Sequence, residues 1–162
     1  MEINPFALLA SAVVTLVVGF VWYNPKVFGT IWMRENNFTR EELRKGNMLK
    51  IFGLTYVFSL MITMIEMGLT IHQSGAIAMV GGPPLIENAK PSFTAFMADY
   101  GTVYRTFKHG TLHGFMSGLF FAFPIVGING LFERKSWKYI FINAGYWIVT
   151  LTLMGGIICQ FA

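Results

Sequence analysis

The sequence predicts an all-α fold: an integral membrane bundle of four transmembrane helices, with short interfacial helices on the cytoplasmic and periplasmic sides. Three observations carry this. Hydrophobic residues make up 54% of the 162 residues and charged residues 12%, against about 25% charged in an ordinary soluble domain. Four stretches are long and apolar enough to cross a bilayer, which takes about 20 residues. The basic residues collect between those stretches, where they set orientation. The length suits one domain, read as residues 1–162.

The first span covers about residues 5–23. No Lys or Arg precedes it and no cleavage site interrupts it, so it reads as a retained helix and not a signal peptide. The second, about 49–71, is broken by one charge, Glu66. The third, about 111–132, contains Pro124, whose missing N–H predicts a kink. The fourth, about 139–161, holds the single cysteine, Cys159. It has no partner for an internal disulfide and is expected as a packed or lipid-facing residue. All four runs are too long and continuous for barrel strands.

The loops orient the bundle. Lys26, Arg34, Arg40, Arg44, Lys45 and Lys50 follow the first span, and Arg134, Lys135 and Lys138 follow the third. The opposite side has Lys90, Arg105 and Lys108. The positive-inside rule places the basic loops in the cytoplasm and both termini outside, in the periplasm if the membrane is a bacterial inner membrane. Trp22, Tyr23 and Trp137 then form a cytoplasmic aromatic belt. The net charge of +4 is explained by this topology, so no nucleic-acid partner is inferred; the partner is the lipid bilayer.

Thr39-Arg-Glu-Glu42 has the form of a capping box and predicts a short cytoplasmic helix. The outer loop, 73–108, is expected to be irregular in its first half, around Gly81-Gly82-Pro83-Pro84. Its second half places Phe93, Phe96, Met97, Tyr100, Tyr104 and Phe107 at helical spacing, which predicts an amphipathic interfacial helix.

Helices in lipid associate through small residues and a few polar bonds. Gly110, Gly114, Gly118 and Ala122 form one stripe at a spacing of four. Ala7, Ser11, Thr15 and Gly19 form another. Both are expected to pack against neighbouring helices. Asn129 and Asn143 are intramembrane amides near the cytoplasmic ends of the third and fourth spans. They are expected to bond to each other or to backbone carbonyls, because an unpaired amide in lipid is costly.

Ionisable residues inside a span are functional candidates. Glu66 lies roughly 8 Å below the outer end of its span at about 1.5 Å per residue, a depth that water can reach. The bland reading makes it a hydrogen-bonded cap of the bundle. His109 and His113 stand four apart on one helical face at the same level, continued by Ser117. Two histidines and a carboxylate can bind a divalent metal or relay protons; the bland reading is an interfacial hydrogen-bonded pair. His72, six residues past Glu66, projects about 120° away on the same wheel and is expected outside the cluster. No nucleophile motif, phosphate loop, Cys-x-x-Cys or His-Glu-x-x-His pattern occurs, so no cofactor is specified.

The stretch Gly19-Phe-Val-Trp-Tyr-Asn-Pro25, then Phe28-Gly29 and Trp32-Met33, resembles the opening of bacterial membrane proteins grouped as domain of unknown function 1761. The close, Leu131-Phe-Glu-Arg134 and Ile142-Asn-Ala-Gly-Tyr146, resembles the same family. The resemblance spans nearly the whole chain. It implies a four-helix bacterial inner-membrane protein and implies no activity or catalytic residues. It also suggests that Trp22–Pro25 and Asn143–Tyr146 pack together.

Three functions fit these residues. The first is a non-enzymatic module that self-associates or serves a larger membrane complex. The second is a small proton- or ion-coupled transporter using Glu66 and the His109/His113 pair. The third is a metal-dependent or lipid-modifying enzyme at the periplasmic face, which draws on His109 and His113 with Glu66 or Asp99. On the predicted topology, a C-terminal reporter is active only if it is one that works in the periplasm. Activity there from a reporter that works only in the cytoplasm would overturn the orientation.

Overall fold

Each membrane helix begins on a polar side chain that accepts one of its otherwise orphaned N–H groups. In a computed structural model describing residues 3–162, Asn4 caps α1 (Pro5–Trp22) and Asn47 caps α4 (Met48–Thr70). Thr106 caps α7 (Phe107–Phe132) and Ser136 caps α8 (Trp137–Phe161). These four helices are long and apolar enough to cross a membrane, and the chain is a multi-pass membrane protein. Between α1 and α4 lie α2 (Gly29–Glu35) and α3 (Arg40–Arg44). Between α4 and α7 lie α5 (Gln73–Met79), a 3₁₀ turn over Pro83–Asn88, and α6 (Pro91–Tyr100). No strand occurs among the described residues.

The third helix starts at Phe107, one turn before the apolar run suggested. Thr106 supplies the cap, and the polar first turn with Lys108 and His109 is helical although hydropathy reads it as loop. Pro124 is accommodated by a π-turn over Gly118–Ala122, in which the Phe123 N–H bonds back five residues to the Gly118 carbonyl.

The closest packing is between α7 and α8. A Cβ on Gly110 would overlap the Gly155 carbonyl, and one on Gly114 the Leu151 carbonyl. A Cβ on Gly118 would sit 2.6 Å from the Ile148 Cα. From the other side, a Cβ on Gly155 would sit 3.1 Å from the Gly114 Cα. The antiparallel backbones therefore touch along the glycine stripe, with no room for any side chain.

The second stripe packs α1 on α4 through buried hydroxyls. Ser11 and Thr63 lie 3.4 Å apart, and Thr15 and Ser59 2.5 Å apart. Ser11, Thr15 and Ser59 also lie within hydrogen-bond distance of carbonyls of their own helices, so none of these three is orphaned; with one proton per hydroxyl, one of Thr15 and Ser59 donates to its carbonyl and the other across the interface. Gly19 lies 3.6 Å, by its Cβ position, from the Tyr146 ring, whose hydroxyl donates to the Thr15 carbonyl at 2.9 Å. α8 thus contacts every other membrane helix and supplies most of the core, including fully buried Ile140, Met154 and Ile158.

At the end bearing the basic loops, the Trp22 indole donates to the Ile142 carbonyl at 2.9 Å, and the Tyr23 hydroxyl to Asn143 Oδ1 at 3.0 Å. Asn143 Nδ2 donates to the Tyr139 carbonyl. Asn143 is therefore bound to Tyr23 and to its own helix, not to Asn129. Asn129 is exposed, because its neighbour Gly130 is the residue turned onto Ile140 of α8. The chain then turns at Asn24-Pro25, and Gly29 must be glycine there, since a Cβ would overlap the Tyr23 carbonyl. Thr39 and Glu42 form a reciprocal capping box at the start of α3. The Thr39 backbone N–H, and then its hydroxyl, hold the Glu42 carboxyl below its ordinary pKa. The cap is therefore formed at neutral pH and is lost as pH falls through that lowered value.

The outer segment departs from expectation in two places. Residues 73–79 are helical, not irregular; the break comes at Gly81 and Gly82, with φ of 94° and 89°. The amphipathic helix stops at Tyr100, so Tyr104 and Phe107 are not on it.

Replacing Gly114 by leucine forces α7 off α8. The expected cost is at least about 1–3 kcal/mol, the usual penalty of overpacking, read as a lowered unfolding midpoint in mild detergent. An unchanged midpoint would show that the two backbones are not in contact.

Candidate functional site

The sequence brings His72, just past the end of α4, to the end of the bundle that bears the termini in a way a helical wheel does not foresee. α4 ends at Thr70. Ile71 is extended (φ −104°, ψ 94°) and fully buried. His72 therefore starts a new turn, its carbonyl accepting the Gly75 N–H. The wheel angle from Glu66 no longer applies once the helix has ended, and the expectation that His72 stays outside the cluster is corrected.

His72 meets His109 and His113, which share one face of α7. His72 Nε2 and His109 Nε2 are 2.9 Å apart. The ring centroids are 4.9 Å apart for His72–His109, 4.8 Å for His72–His113 and 4.5 Å for His109–His113. One ligating nitrogen from each ring lies within 4.8 Å of the others. His72 is exposed and the other two are half-buried, so the cluster is open to solvent or the headgroup region.

Second contacts hold these rings. Tyr104 stacks on His109 with centroids 5.0 Å apart and planes at 22°. Tyr104 has φ 64°, a left-handed conformation that tyrosine rarely adopts. Its carbonyl accepts from the Thr106 N–H and the Cys159 thiol, which holds it there. Cys159 is accordingly a buried packing residue. The Gln73 amide donates to the Tyr100 and Val103 carbonyls at 2.8 and 2.9 Å, and Arg105 donates to the Cys159 and Ala162 carbonyls. The outer segment is thus pinned to both α5 and the end of α8.

Glu66 does not join the histidines. It is 2% exposed, enclosed between α4, α7 and α8, with Oε1 about 3.2 Å from where a Gly155 Cβ would be. Ser117 lies beside it, and the Thr70 hydroxyl bonds to its backbone carbonyl, not to its carboxyl. Oε1 has no hydrogen-bond partner. The expectation of a water-accessible carboxylate is corrected: burial by the glycine-lined α7–α8 contact seals it. Asp99 is exposed on α6 and is also outside the cluster.

Residues 6–159 match the family described as "Protein of unknown function (DUF1761)". The chain belongs to this family. No curated protein and no solved structure matches it. The tryptophan, tyrosine and asparagine of the family-like motifs meet at the basic end, across the bundle from the histidines. Those motifs are bonded into the α1–α8 contact, while the histidine cluster is a separate feature of the opposite end.

A buried carboxyl whose Oε1 has no hydrogen-bond partner is a liability that an apolar side chain of similar size removes. Glu66→Met is therefore expected to leave stability unchanged or raise it by about 1 kcal/mol, measured by thermal unfolding in detergent. A clear fall would show that the carboxyl is held by a favourable contact.

Proposed function

We propose that the chain is a membrane-embedded binding protein for a divalent transition-metal ion, held by His72, His109 and His113. The observation that carries this is the convergence of three imidazoles from two separate elements, with ligating nitrogens within 4.8 Å. Two nitrogens on one zinc ion, each about 2.0–2.1 Å from it, are at most roughly 4 Å apart. Small rotations of the rings therefore suffice to bring all three onto one ion. Imidazole donors without a carboxylate suit zinc or copper over calcium or magnesium. Three protein ligands leave a further position for water or a transferred ligand.

Binding, not turnover, is the reading favoured. Among the described residues no carboxylate or nucleophile stands in the cluster, and Glu66 is sealed away from it. On the orientation favoured by the basic loops, the site faces the periplasm of a bacterial inner membrane. The small-residue stripes that suggested a self-associating module are occupied by contacts within the chain. That reading, and membership of a larger complex, then rest on other surfaces of the bundle.

Chelator-washed protein in mild detergent should bind about one equivalent of Zn²⁺ by calorimetry. Cu²⁺ should give a paramagnetic spectrum with nitrogen coupling. His72→Ala, His109→Ala and His113→Ala are each expected to weaken binding at least about tenfold, while Glu66→Gln leaves it unchanged. Binding of less than about one-tenth of an equivalent would overturn the proposal.

A further inference from the structure

Toward the basic end α1 and α4 part company. Their polar contacts are the Ser11–Thr63 and Thr15–Ser59 pairs and a hydrogen bond from the Tyr56 hydroxyl to the Leu9 carbonyl at 3.2 Å. Beyond them the end of α1 is drawn to α8 by the Trp22 and Tyr23 hydrogen bonds. The gap left between α1 and α4 is a cavity of about 1100 Å³, walled by Leu16, Phe20, Phe52, Phe58 and Ile62, with Trp147 behind. These residues belong to the membrane-crossing lengths of their helices. The medium beside them is lipid, and an apolar recess at that depth is filled by acyl chains.

The cavity has a polar neighbour. Tyr23, Pro25, Trp32 and Leu43 line both it and a smaller recess of about 290 Å³. That recess is also lined by Arg40 and Arg44. The two arginines are four apart on α3 and share its face. Neither makes an ion pair among the described residues. The nearby Glu42 carboxylate is turned back onto the Thr39 cap. Two unpaired guanidinium forks beside an interfacial tryptophan match a phosphate at headgroup level.

We infer that this groove is a site for one anionic glycerophospholipid, its acyl chain between α1 and α4 and its phosphate on Arg40 and Arg44. The lipid completes the packing that α1 and α4 leave open. The capping box on α3 orients the arginines, so headgroup recognition depends on a local helix that carries no apolar core of its own. The site is independent of the histidine cluster, which lies at the other end of the bundle.

The test uses the full chain in nanodiscs holding equal amounts of phosphatidylglycerol and phosphatidylcholine with identical acyl chains. Native mass spectrometry after release should retain phosphatidylglycerol in preference. The pair R40Q/R44Q should lower that retention roughly fivefold to thirtyfold, as expected for losing one to two headgroup charge contacts. R40K/R44K, which keeps the charge, should retain part of it. Leu16→Trp, which fills the groove, should reduce retention of both lipids. A second measurement needs no substitution: brominated phosphatidylglycerol should quench the tryptophan fluorescence of the wild-type protein more than brominated phosphatidylcholine at equal mole fraction. Equal retention with equal quenching overturns the proposal. So does a phosphatidylglycerol preference unchanged in R40Q/R44Q, or a lipid-free dimer as the retained species.

Discussion

The contact between the glycine face of α7 and the backbone of α8 is the constraint on which the rest of the structure depends. Within a bilayer, lipid tails solvate apolar side chains as well as another helix does, so association rests on close backbone approach and on polar bonds. Gly110, Gly114 and Gly118 provide that approach, and Gly155 answers from the other side. Once α7 and α8 are in contact, Glu66 is enclosed beside Gly155, and His109 and His113 are fixed on the adjacent face. The end of α8 then receives Arg105 and the Tyr104 turn. The geometry of the histidine cluster is thus a consequence of where two helices touch.

The remaining helices join by different chemistry. α1 meets α4 through hydroxyls that also satisfy their own backbones, a modest adhesive of about 0.6–2 kcal/mol per bond. It meets α8 through three aromatic residues, Trp22, Tyr23 and Tyr146, each spending its polar atom on a bond across the interface. Aromatic rings with a polar tip suit the membrane boundary, where one side is apolar and the other wet. This division explains why the structure is tight along α7–α8 and open between α1 and α4.

The four helices were legible because a bilayer demands long apolar runs and a protein core does not. Both small-residue stripes could be read from spacing, but their partners could not: the glycine stripe faces carbonyls of Leu151 and Gly155, and the other faces Thr63, Ser59 and Tyr146, pairings that only tertiary placement sets. Asn143 could be recognised as a bonded amide; that Tyr23 is its partner depends on tertiary placement, and Asn129 faces outward for the same reason. His72 was misplaced by extending a helical wheel beyond Thr70, where the helix has stopped. Glu66 looked shallow when counted along its own helix, because depth along one axis says nothing about what packs across it. The groove between α1 and α4 has no sequence signature, being defined by residues that fail to meet.

α8 is the last of the four membrane helices to leave the ribosome, and it is the one that all the others touch. Until it arrives, α7 presents bare glycines to lipid and α1 carries Trp22 and Tyr23 without their acceptors. Glu66 then lacks its lid. Most of the contacts between the membrane helices therefore exist only once α8 is in place.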